Sequence, residues 1–95
     1  MADIDDRMRA MRAKFIAQTL DSLPSIEMSA ASRDWPSLVG AAHSLAGRAG
    51  MFGFPGLGAA ARDVEEAIET GANDDALDKL SSKLLEEIRS LHQDF

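Results

Sequence analysis

Apolar residues along this chain recur at intervals of three and four, the spacing of a helix face, and sustained alternation of the strand kind is missing. Met8, Met11, Phe15 and Thr19 trace the inner stripe of a first helix, expected from about Asp5 to Leu20. Leu23, Ile26 and Ala30 trace a second, with Asp21 or Ser22 as its cap and Pro24 in the first turn, where a missing N–H costs little. Asp34 caps a third, again with a proline, Pro36, in the opening turn, and this helix is expected to run to about Phe52. The "GFPG" at 53–56 breaks it. Pro55 opens a fourth helix with Leu57, Ala61, Val64 and Ile68 facing inward, and Gly71 ends it. Asn73 or Asp74 caps the last, whose stripe is Leu77, Leu80, Leu84, Ile88 and Leu91. β-Branched residues are few, and every connection is short, so consecutive helices should lie antiparallel. The pattern predicts an all-α, antiparallel four-helix bundle with a short additional N-terminal helix, one domain over residues 1–95 with a ragged start at 1–4.

Composition narrows what such a bundle does. At 95 residues, 45% of them hydrophobic and 27% charged, the chain has the make-up of one small folded domain. It has no apolar run long enough to span a bilayer and no charged-then-apolar leader, so a cytoplasmic protein without membrane contact is expected. The absence of cysteine removes disulfides, thiol catalysis and thiolate metal sites together. A net charge of −6 argues against nucleic acid as a partner, because phosphate backbones select for a basic face. Arg7, Arg9, Arg12 and Lys14 do cluster near the start, where they are expected on the solvent side of the first helix.

One segment departs from this generic picture. "AAHSLAGRAGMFGFPGLGAAARDVE", residues 41–65, sets His43, one of only two histidines, among glycines that weaken a helix. With successive residues turning about 100° around the helix, Pro36, Val39, Gly40, Ala46, Gly47 and Gly50 all fall within about 60° of His43. Leu38, Ala41, Leu45, Ala49 and Phe52 cluster on the opposite side. The third helix therefore has one greasy face for the core and one bare face carrying an imidazole. Two readings of that bare face stand at this point: room for an incoming partner, or small residues that permit close helix packing beside a bystander histidine. Catalytic readings have less to rest on. A general base needs an orienting partner and a pocket, no serine–acid arrangement suggests a nucleophilic triad, and His43, His92 and scattered carboxylates do not fall at metal-ligand spacing. His92 is expected to be an ordinary exposed residue.

The segment resembles the signature of histidine-containing phosphotransfer (HPt) domains, in which H-x-L-K-G surrounds the active histidine, a glycine follows ten residues after it, and leucine and glutamate come further on. His43, Leu45, Gly47, Gly53, Leu57 and Glu65 match at those spacings, and the upstream "RDWPSLVGAAH" and the terminal leucine stripe also fit, so the resemblance covers essentially the whole domain. It implies a four-helix bundle with the active histidine exposed on one central helix. It further implies that His43 accepts a phosphoryl group, at Nε2, from an aspartyl phosphate on one receiver domain and passes it to an aspartate on another. Such a protein is a phosphocarrier, not a kinase. The implied partners are receiver domains of response regulators and of a hybrid histidine kinase. No cofactor of its own is implied, since magnesium comes with the receiver, and a monomer is expected. Val39, Gly40, Ala46, Gly47, Gly50 and Met51 are the expected docking face, Leu45, Leu57 and Val64 are expected in the core, and Glu65 is expected to face solvent or cap a helix with no catalytic role. The family usually has lysine three residues after the histidine, where this chain has Ala46, and Arg48 lies about 140° around the helix from His43, too far to replace it. Either a basic residue on a neighbouring helix contributes the charge, or the partner supplies it. The alternative function is a non-phosphorylated adaptor that kept the docking face and binds a receiver or kinase to inhibit it.

Overall fold

The computed structural model describes the backbone of residues 2–91 and the side chains of residues 6–91. Five helices follow one another: α1 (Ala2–Asp21), α2 (Leu23–Ala31), α3 (Trp35–Ala49), α4 (Pro55–Glu69) and α5 (Asp74–Ser90). No strand occurs among the described residues. The all-α bundle is therefore what the chain forms, with helix lengths distributed differently from expectation. The leading helix is the longest, at 20 residues, beginning at Ala2, and the short one is α2, with 9.

Local chemistry explains most of the boundaries. Asp34 caps α3, its Oδ1 accepting from the Ser37 amide at 3.4 Å and its Oδ2 from the Ser37 hydroxyl at 2.7 Å. Asn73 caps α5 by accepting from the Ala76 amide at 2.8 Å. Ser22 stands at the N-cap of α2 but does not act as one, because its hydroxyl donates back to the Thr19 carbonyl at 2.7 Å. Regular hydrogen bonding in α3 stops at Ala49, while the winding continues to Phe52. There Gly53, at φ +87°, donates to the Gly50 carbonyl and Phe54 to the Ala49 carbonyl, the paired bonds of a Schellman stop. Gly71, at φ +76°, closes α4 in the same way.

The core is built from Phe15, Leu38, Leu45, Leu57, Val64, Leu84, Ile88 and Leu91, all buried. Burying each such side chain fully contributes about 1.5–3 kcal/mol. On α1 the expected stripe is only half realised: Phe15 and Thr19 are buried, joined by Ile16, but Met8 and Met11 remain 49% and 45% exposed. Residues 6–14 are all exposed, the basic cluster included, although Arg12 donates to the Phe52 carbonyl at 3.2 Å and lies over the Phe54 ring. Phe15 stacks on Phe52 and Phe54, so α1 closes the end of the bundle where α3 turns into α4. At the other corner, Arg33 pairs with Asp78 at 2.8 Å and Asp74 at 3.3 Å, and the hydrogen bond to Asp78 with the surrounding carboxylate charge raises its pKa above the ordinary guanidinium value.

Helices α3 and α4 form the tightest pair, an antiparallel hairpin joined through small residues. A Cβ placed on Gly58 would stand 3.6 Å from the Ala49 Cβ and 3.7 Å from the Gly50 amide nitrogen, ordinary contact with no room beyond it. Ala42, Ala49, Ala60 and Ala61 are buried here, which lets the two backbones approach closely.

Candidate functional site

The α3–α4 hairpin places one acid beside the one histidine on α3. His43 and Glu65 are each eleven residues from Phe54 at the turn, so an antiparallel pair sets them level. The Glu65 Oε2 and the His43 Nδ1 share a hydrogen bond. The two side chains are unequally placed: that of His43 is 77% exposed, that of Glu65 only 17%. A partly buried carboxylate thus holds an exposed ring. With Glu65 ionised, Nδ1 carries the proton and donates it, which leaves Nε2 with its lone pair and no partner among the described residues. Glu65, expected to face solvent or cap a helix, instead lies partly buried against the His43 ring. The wheel followed one helix at a time and could not see across to the next, although the spacing from Phe54 was already in the sequence.

The other expected site residues lie as follows. Gly40, Gly47 and Gly50 are exposed, and a Cβ built on any of the three would meet nothing within 4 Å. Helix packing therefore does not explain them, in contrast to Gly58 on α4. Val39 is half-buried, and Met51 is 68% exposed at the end of the same helix. The three glycines and His43 are exposed on α3 and at its C-terminal end. Ala46 differs from the rest: it is half-buried and packs against the core cluster on the α4 side of α3.

Arg48 points away, as the wheel requires. It donates to the Gln18 Oε1 at 3.0 Å and lies over the Phe15 ring at 5.2 Å, tying α3 to α1. His92 lies outside the described residues. Among those described, no three His, Asp or Glu side chains converge as a metal site, and no helix is long and apolar enough to cross a membrane. A surface cavity of about 700 Å³ lies between α2 and α5 among Glu27, Arg33, Asp78 and Arg89, with none of the site residues in its lining.

The arrangement offers a fixed imidazole with one nitrogen held and one free, on a surface cleared of side-chain bulk. That suits a reaction whose other participants arrive on a second macromolecule. Comparison with curated proteins and with solved structures returned no significant match. The family model described as Hpt domain matches residues 10–94, and the chain belongs to that family of histidine phosphotransfer domains.

Proposed function

We propose that this protein is a phosphocarrier that relays a phosphoryl group between aspartates of receiver domains in a cytoplasmic two-component phosphorelay, with His43 as the phosphorylated residue. The observation that carries the reading is the His43–Glu65 pair, which turns a free Nε2 toward solvent on an otherwise bare helix face. In the forward step the Nε2 lone pair forms an N–P bond while the P–O bond to the donor aspartate breaks, and the donor carboxylate leaves with the electron pair. The ring becomes positively charged, and the Glu65 carboxylate against Nδ1–H stabilises that charge. In the second step an acceptor aspartate forms a new P–O bond and the N–P electrons return to Nε2. The Nδ1 proton stays in place throughout. Such transfer needs in-line placement and charge neutralisation more than covalent assistance, so a rigid helix suffices.

The receiver supplies magnesium, and its acidic pocket approaches over Gly40, Gly47 and Gly50, flanked by Val39, Ala46 and Met51. Receivers of response regulators and of a hybrid histidine kinase are the proposed partners, and the carrier acts as a monomer. The test is incubation of the protein and its His43→Gln variant with a panel of radiolabelled phospho-receivers. Acid-labile, base-stable label on the wild type alone supports the reading. Receiver binding without label from any donor refutes it in favour of an inhibitory adaptor.

A further inference from the structure

The hairpin register that pairs His43 with Glu65 brings a second α4 side chain to the same face. Gly50 and Gly58, each four residues from Phe54, are in contact range, and His43 and Glu65, each eleven away, are hydrogen-bonded. Between those two fixed points, Ala46 and Arg62 are each eight residues from Phe54 and stand level across the helix pair. Arg62 is three residues before Glu65, so it lies about 60° around α4 and about 4.5 Å along it from the carboxylate that holds the histidine. Its neighbour Ala61 is fully buried while Arg62 is exposed, which puts Arg62 on the solvent rim of the hairpin rather than in its seam.

Arg62 is also uncommitted. Among the described residues it takes part in no ion pair and no side-chain hydrogen bond, not even with Glu66 four residues on. The only other cation on α3 or α4 is Arg48, already bound to Gln18 and Phe15 on the far side of α3. A phosphoryl group brings a charge of about −1.5 to −2 and three strong acceptor oxygens to His43, beside a carboxylate that is itself negative. Ala46, small and half-buried, puts no long side chain of its own between Arg62 and that group.

We infer that Arg62 is the cation that contacts the phosphoryl oxygens on His43, reaching across Ala46 from α4. The inference rests on the phosphocarrier reading and adds to it where the neutralising charge comes from within this chain. The planar guanidinium donates two parallel N–H bonds to phosphoryl oxygens, a geometry a lysine does not reproduce.

The test loads wild type, Arg62→Gln, Arg62→Lys and the double variant Ala46→Lys/Arg62→Gln with phosphoryl from a phospho-receiver or from phosphoramidate. Two quantities are read: the rate of transfer to an acceptor receiver, and the ³¹P chemical-shift titration of the phosphohistidine. Arg62→Gln is expected to slow transfer roughly fivefold and to move the phosphoryl titration to higher pH, with Arg62→Lys in between. Ala46→Lys in the Arg62→Gln background is expected to recover part of both, as Arg62→Lys does. Arg62 is exposed, so circular dichroism and melting should stay at wild-type values. Wild-type transfer and titration in Arg62→Gln, or a double variant that melts like wild type yet stays as slow as Arg62→Gln, overturns this inference alone. A wild type that takes no label from any donor overturns the phosphocarrier reading, and this one with it.

Discussion

Glu65 offers the sharpest test of how the site works, because two substitutions separate its two contributions. Glu65→Gln keeps an acceptor for the Nδ1 proton and removes the charge, whereas Glu65→Ala removes both. Two unit charges about 4 Å apart interact by about 4 kcal/mol at an effective dielectric of about 20 and by about 1 kcal/mol in bulk water. The pair lies between those limits, since the carboxylate is 17% exposed and the ring 77%. Removing the charge alone, as Glu65→Gln does, therefore costs about 2 kcal/mol, and at about 1.36 kcal/mol per factor of ten this is roughly a thirtyfold slower transfer. Glu65→Ala should lose about 1 kcal/mol more, roughly a further fivefold in rate, because the hydrogen bond that orients the ring goes with the charge. Rapid-quench transfer from a phosphorylated receiver to each variant measures the rates. Long-range ¹⁵N–¹H spectra of the imidazole report the tautomer, expected to be Nδ1–H in the wild type and to redistribute in Glu65→Ala. Transfer by Glu65→Ala within about twofold of wild type, with the tautomer unchanged, would show that the carboxylate neither orients the ring nor stabilises its charge.

Two further predictions concern the glycines. Gly40→Ala/Gly47→Ala should raise stability by about 2 kcal/mol, because each glycine costs the helix about 1 kcal/mol and neither new Cβ meets a neighbour. For a domain of this size that raises the melting temperature by roughly 10 °C, while a leucine at Gly47 weakens receiver binding, measured by titration calorimetry, and leaves the fold intact. Gly58→Leu should do the opposite, destabilising by about 2 kcal/mol or more in urea unfolding because it forces α4 off Ala49 and Gly50. A Gly58→Leu variant as stable as wild type would contradict the close-packed seam.

The ends of the helices were legible in the sequence for reasons that are local. Asp34 and Asn73 cap because a short acceptor side chain reaches the amide three residues on, and Gly53 and Gly71 stop helices because each takes up a positive φ. The His43 face was legible for the same reason, since a wheel needs only one helix. What failed depends on neighbours. The spacing of Met8 and Met11 marks an apolar face, yet periodicity does not say how far another element covers it, and here both stay about half exposed. Ser22 shows the same gap at smaller scale: its hydroxyl has a choice of partners and takes the preceding carbonyl. Glu65 needed the register between two helices. Counting outward from Phe54 supplies that register, once the turn at 53–56 is trusted to be tight.

Small residues do two different things on α3, and the difference orders the site. Toward α4, Ala42, Ala46 and Ala49 are packed, and a compact seam with Gly58 and Ala61 fixes the hairpin register. Away from it, Gly40, Gly47 and Gly50 pack against nothing, so their cost to the helix has no compensation inside the chain. A cost without an internal return points to an external one, and close approach by a partner is what bare helix surface permits. The seam matters to that approach as well. It fixes Glu65 against the ring, so Nε2, the proposed nucleophile, is aimed by packing between helices and not by anything on the exposed face itself. On this reading α3 contributes a nucleophile and clearance, and the charges that tune it stand on α4, where Glu65 and Arg62 occupy adjacent places on the rim. Ala46 then ceases to be a missing lysine. It is part of the seam, and its small side chain is what lets the charge come from the neighbouring helix.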